Sequence, residues 1–457
     1  MLNQKLVFYF SCCTQLVLFF LIAYKIQRHE TVLLLASYSI LFALYAWIIS
    51  TNQQEQFSLW IISAVVFRFV LLFSVPNLSD DFYRFIWDGR LLASGNHPFA
   101  HIPAYYIENN IEIPGINETL FSKLNSKEYF TIYPSVAQFL FWLSAKLSAS
   151  VYGSLVVLKI FIFLSEVGSI ILLRKLMASF NFSHQRVLIY ALNPLIIIEL
   201  TGNAHFEAVL IFFLLLTIYC LVNHKSDLAA IFFAISVCVK LVPLIFLPAI
   251  LPLLGRKKAL RFYAITLGCC VLLFLPLTDT QMLVGFKNSL GYYFSKFEFN
   301  ASIYYLIREV GYILVGFNII QFAGIMLAAL ATTVILIISL QGLPSIFKNS
   351  SINSPPEAST LSITWWTFFQ AMMWSLLIYF LFTTTLHPWY ISTLVVLAVF
   401  TNYRFAILWT FTIFFTYAGY TESGFEENLW VVAVEYVIVL GYFAYELWKK
   451  KSHSLAV

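Results

Sequence analysis

Apolar runs of about twenty residues recur along the whole chain and are separated by short polar turns. A run of roughly 20 apolar residues can cross the hydrocarbon core of a bilayer as an α-helix. The clearest runs are 5–24, 31–50, 57–75, 151–173, 187–201, 206–222, 260–276, 319–340, 363–384, 389–401, 404–419 and 429–447. The pattern therefore predicts an all-α polytopic membrane protein of about 12–14 transmembrane helices. We expect one integral membrane domain over 1–457, because no separate soluble segment stands out.

Two stretches do not fit this simple pattern. Residues 134–148 are apolar but short for a span, and residues 228–254 are long but contain three prolines. Proline removes a helical hydrogen bond and kinks or breaks a helix, so 228–254 is predicted to turn back as a hairpin. Two polar stretches, 76–133 and 277–318, are predicted to be exterior loops, the first carrying an amphipathic helix.

The distribution of basic residues predicts which loops face the cytoplasm. Lys and Arg favour the cytoplasmic side, and they cluster at Arg174-Lys175 with Arg186, at Arg256-Lys-Lys258 with Arg261, at Arg404 and at Lys449-Lys-Lys451. The remaining loops should then face outward. This assignment leaves Lys25 and Arg28 outside, against the rule, so the early topology stays open.

Composition excludes several classes of protein. The chain is 61% apolar and only 11% charged, with a mean hydropathy of +0.84, so a soluble fold is excluded. The net charge of +5 comes from helix ends and indicates no nucleic-acid partner. The six cysteines lie in apolar runs and show neither metal-ligand spacing nor a disulfide framework. No cleavage site follows the first run, which is therefore predicted to be a retained helix.

A charged stretch from Ser79 to Phe99 follows the third apolar run and is the strongest candidate for chemistry. Its apolar residues recur at helical spacing with the charged residues on another face, which predicts an amphipathic helix at the membrane surface. The adjacent carboxylates Asp80 and Asp81 begin this helix, and a carboxylate there can take a proton from a hydroxyl. The alternative is a solvated helix start with an Arg84–Asp88 pair.

Lys240 is the second candidate, because it lies inside an apolar stretch just before Pro243. A lysine within a span costs about 2.5–3.5 kcal/mol on insertion scales, so it should face a cavity and bind an anion. A lipid phosphate is one such anion. The alternatives are that Lys240 snorkels or pairs with a carboxylate, namely Glu166, Glu199 or Glu207.

Three polar turns at span ends complete the set of candidates. They are Asn193 to Glu207, Phe297 to Tyr305 and Leu386 to Tyr390. The first combines His205 and Glu207 at a spacing that gives weak support for a metal site. The other two combine aromatic and polar groups, which fits either an interfacial aromatic belt or a sugar-binding surface.

Taken in order, these motifs resemble the membrane glycosyltransferases of the GT-C superfamily. They look most like the bacterial polyprenol-phosphate-mannose-dependent transferases of the glycosyltransferase family 87 type. The resemblance rests on Asp80-Asp-Phe-Tyr-Arg-Phe-Ile-Trp-Asp-Gly-Arg90, Gly95-Asn-His-Pro-Phe99, Ile132-Tyr-Pro134, Asn193-Pro194, Gly202-Asn-Ala-His205, Lys240 with Pro243, Phe299-Asn-Ala-Ser-Ile-Tyr304 and His387-Pro-Trp-Tyr390.

The resemblance implies an inverting transfer of a sugar, expected to be mannose, from a polyprenyl-phosphate donor to a lipid or glycan acceptor. It implies a site on the outer side of the bacterial cytoplasmic membrane, with membrane lipids around it. No cofactor is expected, and no ligand cluster in the sequence requires a metal. Asp80 would be the base, with Asp81 supporting it or taking its place. Lys240, with Arg84 or Arg90, would bind the donor phosphate. The expected substrate-binding residues are Tyr83, Asp88, His205, Glu207, Asn300, His387, Trp389 and Tyr390.

Two functions of other classes compete with this hypothesis. A flippase or transporter of lipid-linked sugars would also have an intramembrane lysine and proline-broken helices. It needs no carboxylate pair in an exterior loop, and the sequence has no visible inverted repeat. An inactive structural membrane subunit would leave the Asp80–Arg90 cluster unexplained.

Overall fold

The computed structural model describes residues 2–341 and 363–455, which are almost entirely helical. The first half contains α1 Leu2–Tyr24, α2 Thr31–Ser50, α3 Phe57–Leu71, α4 Asp81–Ala93, α5 Pro103–Glu108, α6 Glu118–Ser122, α7 Ser135–Leu147, α8 Val151–Ser179, α9 Leu188–Ala191, α10 Pro194–Ile196 and α11 Glu207–Val222. A π-helical turn, Ile197–Gly202, continues α10.

The second half has the same character. It contains α12 Ser226–Val239, α13 Leu247–Leu254, α14 Arg256–Phe274, α15 Thr280–Ser295, α16 Ile303–Val315, α17 Ile320–Gln341, α18 Ile363–Phe382, α19 Ile391–Phe400, α20 Phe405–Thr412 and α21 Leu429–Leu455. Short 3-10 turns cover His184–Val187, Val242–Phe246, Leu275–Leu277, Pro388–Tyr390 and Ile413–Gly419. An antiparallel pair, β1 Tyr420–Thr421 and β2 Gly424–Phe425, precedes α21.

Seven helices in the described part of the chain are long and apolar enough to span a membrane, which confirms the all-α polytopic fold. They are Lys5–Tyr24, Thr31–Ser50, Val151–Ser179, Arg256–Leu277, Ile320–Leu340, Ile363–Phe382 and Leu429–Lys449. A pair bent by 112°, Pro194–Gly202 with Glu207–Val222, forms an eighth candidate. The predicted 12–14 spans are reached only if at least four of the five shorter apolar helices, 57–71, 226–239, 242–254, 388–400 and 405–419, also cross.

The stretch 228–254 is interrupted, as its prolines predict, but the break lies before the first proline. Helix α12 ends at Val239, and Lys240 is extended, with φ −150° and ψ 144°. Pro243 has no N–H to donate to a carbonyl in the preceding turn, so the helix cannot continue through it. The break leaves the Lys240 side chain at the point where the chain changes direction.

Hydrogen bonds between distant segments define two ends of the helical bundle. At the site end, Arg28 Nη1 lies 2.7 Å from Asp80 Oδ2, and the backbone N–H of Leu78 donates to Asn203 Oδ1 at 3.3 Å. This end gathers the turn 25–30, the loop 76–133, the turn 203–206 and the pair 420–425.

The opposite end of the bundle contains the turns near Gln53, Gln185 and Arg404. There the backbone N–H of Gln53 donates to Gln185 Oε1 at 3.2 Å, and Arg186 Nη2 donates to Asn402 Oδ1 at 2.6 Å. The backbone N–H of Arg404 donates to Glu446 Oε1 at 2.8 Å. Several of the basic clusters therefore share one end of the bundle.

Helices α4 and α7 lie side by side at the site end. A side chain at Gly89 would overlap the backbone carbonyl of Phe141, so this position allows the two helices to touch. Phe85 and Phe141 stack in parallel with ring centroids 4.8 Å apart. The helix predicted within 76–133 is present as α4, and its polar face is buried by α7 and the loop.

Candidate active site

The two adjacent carboxylates at the start of α4 have different neighbours. Asp80 is half-buried and forms an ion pair with Arg28. Asp81 accepts a hydrogen bond from Asn125 Nδ2 at 2.8 Å. The main effect on Asp81 is burial, which raises the pKa of its carboxyl. The hydrogen bond and the charge of Lys240 lower this pKa, and the charges of Glu207 and Asp80 raise it. The structure thus brings Asp81 together with Lys240 and Glu207.

Lys240 forms an ion pair with Glu207, the first residue of α11. This settles which of the three candidate carboxylates is its partner, because Glu166 instead accepts from Arg68 Nε at 2.6 Å and Glu199 accepts from Tyr417 at 2.7 Å. The ammonium also lies 5.5 Å from the ring centroid of Tyr390, a cation–π distance. Among the residues that the structure describes, none forms a hydrogen bond with the second carboxylate oxygen of Glu207, which is buried.

Helix α4 contacts the turn that carries His205 and Glu207 through Phe206. Its ring lies edge-on to Phe85 of α4 and Phe141 of α7, with centroid distances of 5.4 and 5.2 Å. Ala204 has a φ of +62°, a left-handed conformation that is unfavourable for alanine, and it is fully buried. The surrounding packing therefore holds this turn in one conformation.

Four rings form a continuous stack beside Lys240. Phe299 lies over His387 at 4.6 Å, His387 over Trp389 at 4.4 Å and Trp389 over His205 at 3.6 Å, all nearly parallel. The predicted aromatic and histidine residues are therefore neighbours. Both faces of the Trp389 indole are covered, so a sugar has no free face to stack on there.

His205 also reaches a buried acidic group. Its Nε2 atom lies 3.5 Å from Glu199 Oε2 and has no hydrogen-bond partner among the described residues. Asn203 Nδ2 donates to Glu199 Oε2 at 3.2 Å. Within residues 2–341 and 363–455, no three His, Cys, Asp or Glu side chains are grouped as metal ligands.

Asn300 lies beside this stack, but its side chain points elsewhere. Its Nδ2 donates to Glu435 Oε1 at 3.2 Å, and its carbonyl accepts from Tyr436 at 2.7 Å. Its φ of +46° is one that asparagine tolerates well. Asn300 therefore joins the second exterior stretch to α21, and the structure does not aim it at Lys240.

The remaining polar residues of α4 are engaged by the loop and α7. Arg84 Nε lies 2.8 Å from Asp88 Oδ1, and Arg84 Nη1 donates to the Tyr129 carbonyl at 2.8 Å. Asp88 also accepts from Gln138. Arg90 donates to the carbonyls of Gly115 and Ala149. The structure thus gives Arg84, Arg90 and Asp88 structural contacts and does not bring them to Lys240. Tyr83 is half-buried and its ring centroid lies 3.9 Å from that of Phe82.

Two basic residues near the candidate site, Lys159 and Arg28, stand at unusual positions in the sequence, but our hypothesis gave them no role. Lys159 lies inside a predicted span and is fully buried, and its ammonium donates to the Leu71, Ser74 and Gly202 carbonyls at 2.7, 2.7 and 3.0 Å. It thereby links α3 to the turn before His205. Arg28, which defied the expected topology, is the partner of Asp80.

Comparison with known proteins adds an independent finding. The profile of a family described as alpha-(1->6)-mannopyranosyltransferase, N-terminal domain, matches residues 12–256, more than half of the chain. No curated protein matches the chain. The matched range includes Asp80, Asp81, His205, Glu207 and Lys240, and it confirms the resemblance to mannosyltransferases. The chain belongs to the alpha-(1->6)-mannopyranosyltransferase family.

Proposed function

We propose that this membrane mannosyltransferase takes mannose from a polyprenyl-phosphate donor and transfers it, with inversion, to a hydroxyl of a lipid or glycan acceptor. The proposal is carried by one observation, the proximity of a half-buried carboxylate, Asp81, to a half-buried ammonium, Lys240. An inverting transfer needs both a base for the incoming hydroxyl and a cation for the departing phosphate.

Asp81 is the base in this mechanism. It removes the proton of the acceptor hydroxyl while that oxygen attacks the anomeric carbon of the donor sugar. The sequence resemblance favoured Asp80, but Asp80 is paired with Arg28, whereas Asp81 faces Lys240. Desolvation raises the pKa of Asp81, which makes its carboxylate a stronger base.

Lys240 stabilises the leaving group. The bond between the anomeric carbon and the phosphate oxygen breaks, and its electron pair leaves with the lipid phosphate, which gains negative charge. Its ammonium carries three hydrogen-bond donors, and its partner Glu207 is a single carboxylate at the start of α11, so Lys240 can also donate to a phosphate oxygen. Arg84 and Arg90 take no part in this proposal, since loop carbonyls already accept from them.

We further propose that the site faces away from the cytoplasm, in the bacterial cytoplasmic membrane. Support comes from Arg186 and Arg404, whose contacts lie at the opposite end of the bundle from Asp81. The positive-inside tendency assigns that end to the cytoplasm. Lys25 and Arg28 are the exceptions in sequence, and the charge of Arg28 at the site end is balanced by Asp80.

Transfer by the purified full-length protein tests the proposed function. Radiolabelled polyprenyl-phosphate mannose and a cell-envelope lipid extract are expected to give a labelled product. Asp81→Asn should lower the rate by about a hundredfold to ten-thousandfold, the usual contribution of general base catalysis.

The matched control is Asp227→Asn. Asp227 forms an exposed ion pair with Arg261, 2.6 Å apart, so this variant should keep the parent rate. Donor that crosses the membrane without any labelled product would indicate a flippase, and an Asp81→Asn variant with the parent rate would refute the base assignment.

A further inference from the structure

We propose that Arg28 is a positioning residue for the reaction, which by its ion pair withholds Asp80 from proton transfer and leaves Asp81 as the base. The inference rests on the proposed function, because it assumes that Asp81 accepts the proton. Arg28 lies in the turn between α1 and α2, outside the two exterior stretches and the polar turns that suggested the site.

The geometry of Arg28 connects three separate parts of the chain. Its Nη1 atom lies 2.7 Å from Asp80 Oδ2, and its guanidinium carbon lies 4.9 Å from the ring centroid of Tyr420. Asp80 immediately precedes α4, and Tyr420 begins β1. The ring stacks in turn on Tyr417, whose hydroxyl donates to Glu199 at 2.7 Å. Arg28 therefore joins the start of α4 to the buried network beside His205.

A basic residue is unexpected at the position of Arg28, and its contribution to stability does not explain why it lies there. With the site end outside, Lys25 and Arg28 depart from the tendency of basic residues in short turns to lie on the cytoplasmic side. The side chains of Arg28 and Asp80 are 35% and 34% exposed, so an ion pair between them adds little stability. Its effect is instead on charge, since it neutralises the carboxylate adjacent to Asp81.

Asp81 responds to every charge that faces it. Asp80 comes from its own segment, Glu207 from the start of α11 and Lys240 from the break after α12. The tyrosines Tyr133, Tyr417 and Tyr420 also sense the charge of Asp81, and they are neutral at ordinary pH. Glu199 also senses the charge of Asp81, and Glu207 is paired with Lys240. None of these groups changes when Arg28 or Asp80 is replaced, so such variants alter only the charge that the Arg28–Asp80 pair places beside Asp81.

The two halves of this ion pair should therefore have opposite effects on the pH dependence of the reaction. Activity falls as pH decreases through the pKa of Asp81. Arg28→Gln leaves Asp80 unbalanced, raises that pKa and moves the acidic limb of kcat/KM to higher pH. Asp80→Asn removes the negative neighbour and moves the limb to lower pH. Each shift should be on the order of half a pH unit or more.

The double variant, Arg28→Gln with Asp80→Asn, replaces a neutral pair by a neutral pair and should return the limb toward its parent position. Arg28→Lys keeps the charge and should leave the limb unmoved. A merely structural ion pair would give the two single variants the same effect. The measurement is transfer of mannose from radiolabelled polyprenyl-phosphate mannose by the full-length protein over a range of pH.

The exposed pair Arg261–Asp227 provides matched controls. Arg261→Gln and Asp227→Asn should leave the limb where the parent has it. Suppose that Asp81→Asn is inactive. If the single Arg28 and Asp80 variants then move the acidic limb in the same direction, or leave it in place, the role of Arg28 is overturned. A fully active Asp81→Asn variant instead overturns the proposed function on which the inference rests.

Discussion

Charged side chains at the candidate site form ion pairs, and these pairs leave the Asp81 carboxylate without a cationic hydrogen-bond partner. Lys240 is paired with Glu207 and Arg28 with Asp80, while Asp81 accepts only from the neutral Asn125 amide. A carboxylate without a cationic partner keeps a higher pKa when it is buried. The proposed base, Asp81, is therefore distinguished from its sequence neighbour Asp80 by its contacts and not by its residue type.

Replacing Lys240 should affect both the rate and its pH dependence. We expect Lys240→Met to slow mannose transfer by about a hundredfold to a thousandfold, the cost of losing one stabilising group for a developing anion. Because Lys240 lowers the pKa of Asp81, its loss should also move the acidic limb of kcat/KM to higher pH. Lys225→Met, in an exposed turn before α12, is the control and should change neither. An unchanged limb would contradict the proximity of the two groups.

Among the helical elements, the α4–α7 pair forms the support of the site. The contact depends on Gly89, which lets α4 meet the backbone of Phe141, and on the Phe85, Phe141 and Phe206 cluster. This arrangement carries Asp81 on one side and the turn with His205 on the other. A substitution at the α4–α7 contact should therefore change the transfer rate although it replaces none of the proposed reacting groups.

Gly89→Val tests that support. The added side chain overlaps Phe141, so we expect α4 to move and the protein to lose about 1–3 kcal/mol of stability, with reduced transfer. Gly441→Val is a matched control, because nothing lies within 4 Å of the position where its side chain would begin. Thermal unfolding and transfer rate report the two effects. If Gly89→Val matched the control in both measurements, the close approach of α4 and α7 would not matter.

The whole molecule has two chemically different ends. One gathers Asp81, Arg28 and the pair 420–425, and the other gathers basic turns such as those at Arg186 and Arg404. Two interrupted helices contribute to this difference between the ends. The chain changes direction at Lys240, between α12 and α13, and it bends between the π-helical turn and α11. The break after α12 places Lys240 beside Glu207 and Tyr390 at the site end.

Labelling of single cysteines in intact cells should reveal which end faces outward. Glu422→Cys, between β1 and β2, is exposed and should react with a membrane-impermeant maleimide. Gln54→Cys, exposed at the opposite end, should react only after the cells are lysed. The parent protein controls for its own six cysteines. The reverse labelling pattern would refute an outward-facing site.

The sequence by itself determined the membrane fold, the interrupted helix at 228–254 and the neighbourhood of the site. These features follow from local properties, since apolar runs of span length, prolines and rare charges within them are visible along the chain. The family match confirms the type of enzyme that the same motifs resemble.

Only the tertiary structure decided which side chains meet. It selected Glu207 from three candidate partners for Lys240, engaged Arg84 and Arg90 with loop carbonyls, and covered both faces of Trp389. It also separated Asp81 from Asp80, although the two are adjacent in the chain. The physical reason is that pairing depends on the direction of each side chain and on segments hundreds of residues away, which no local pattern specifies.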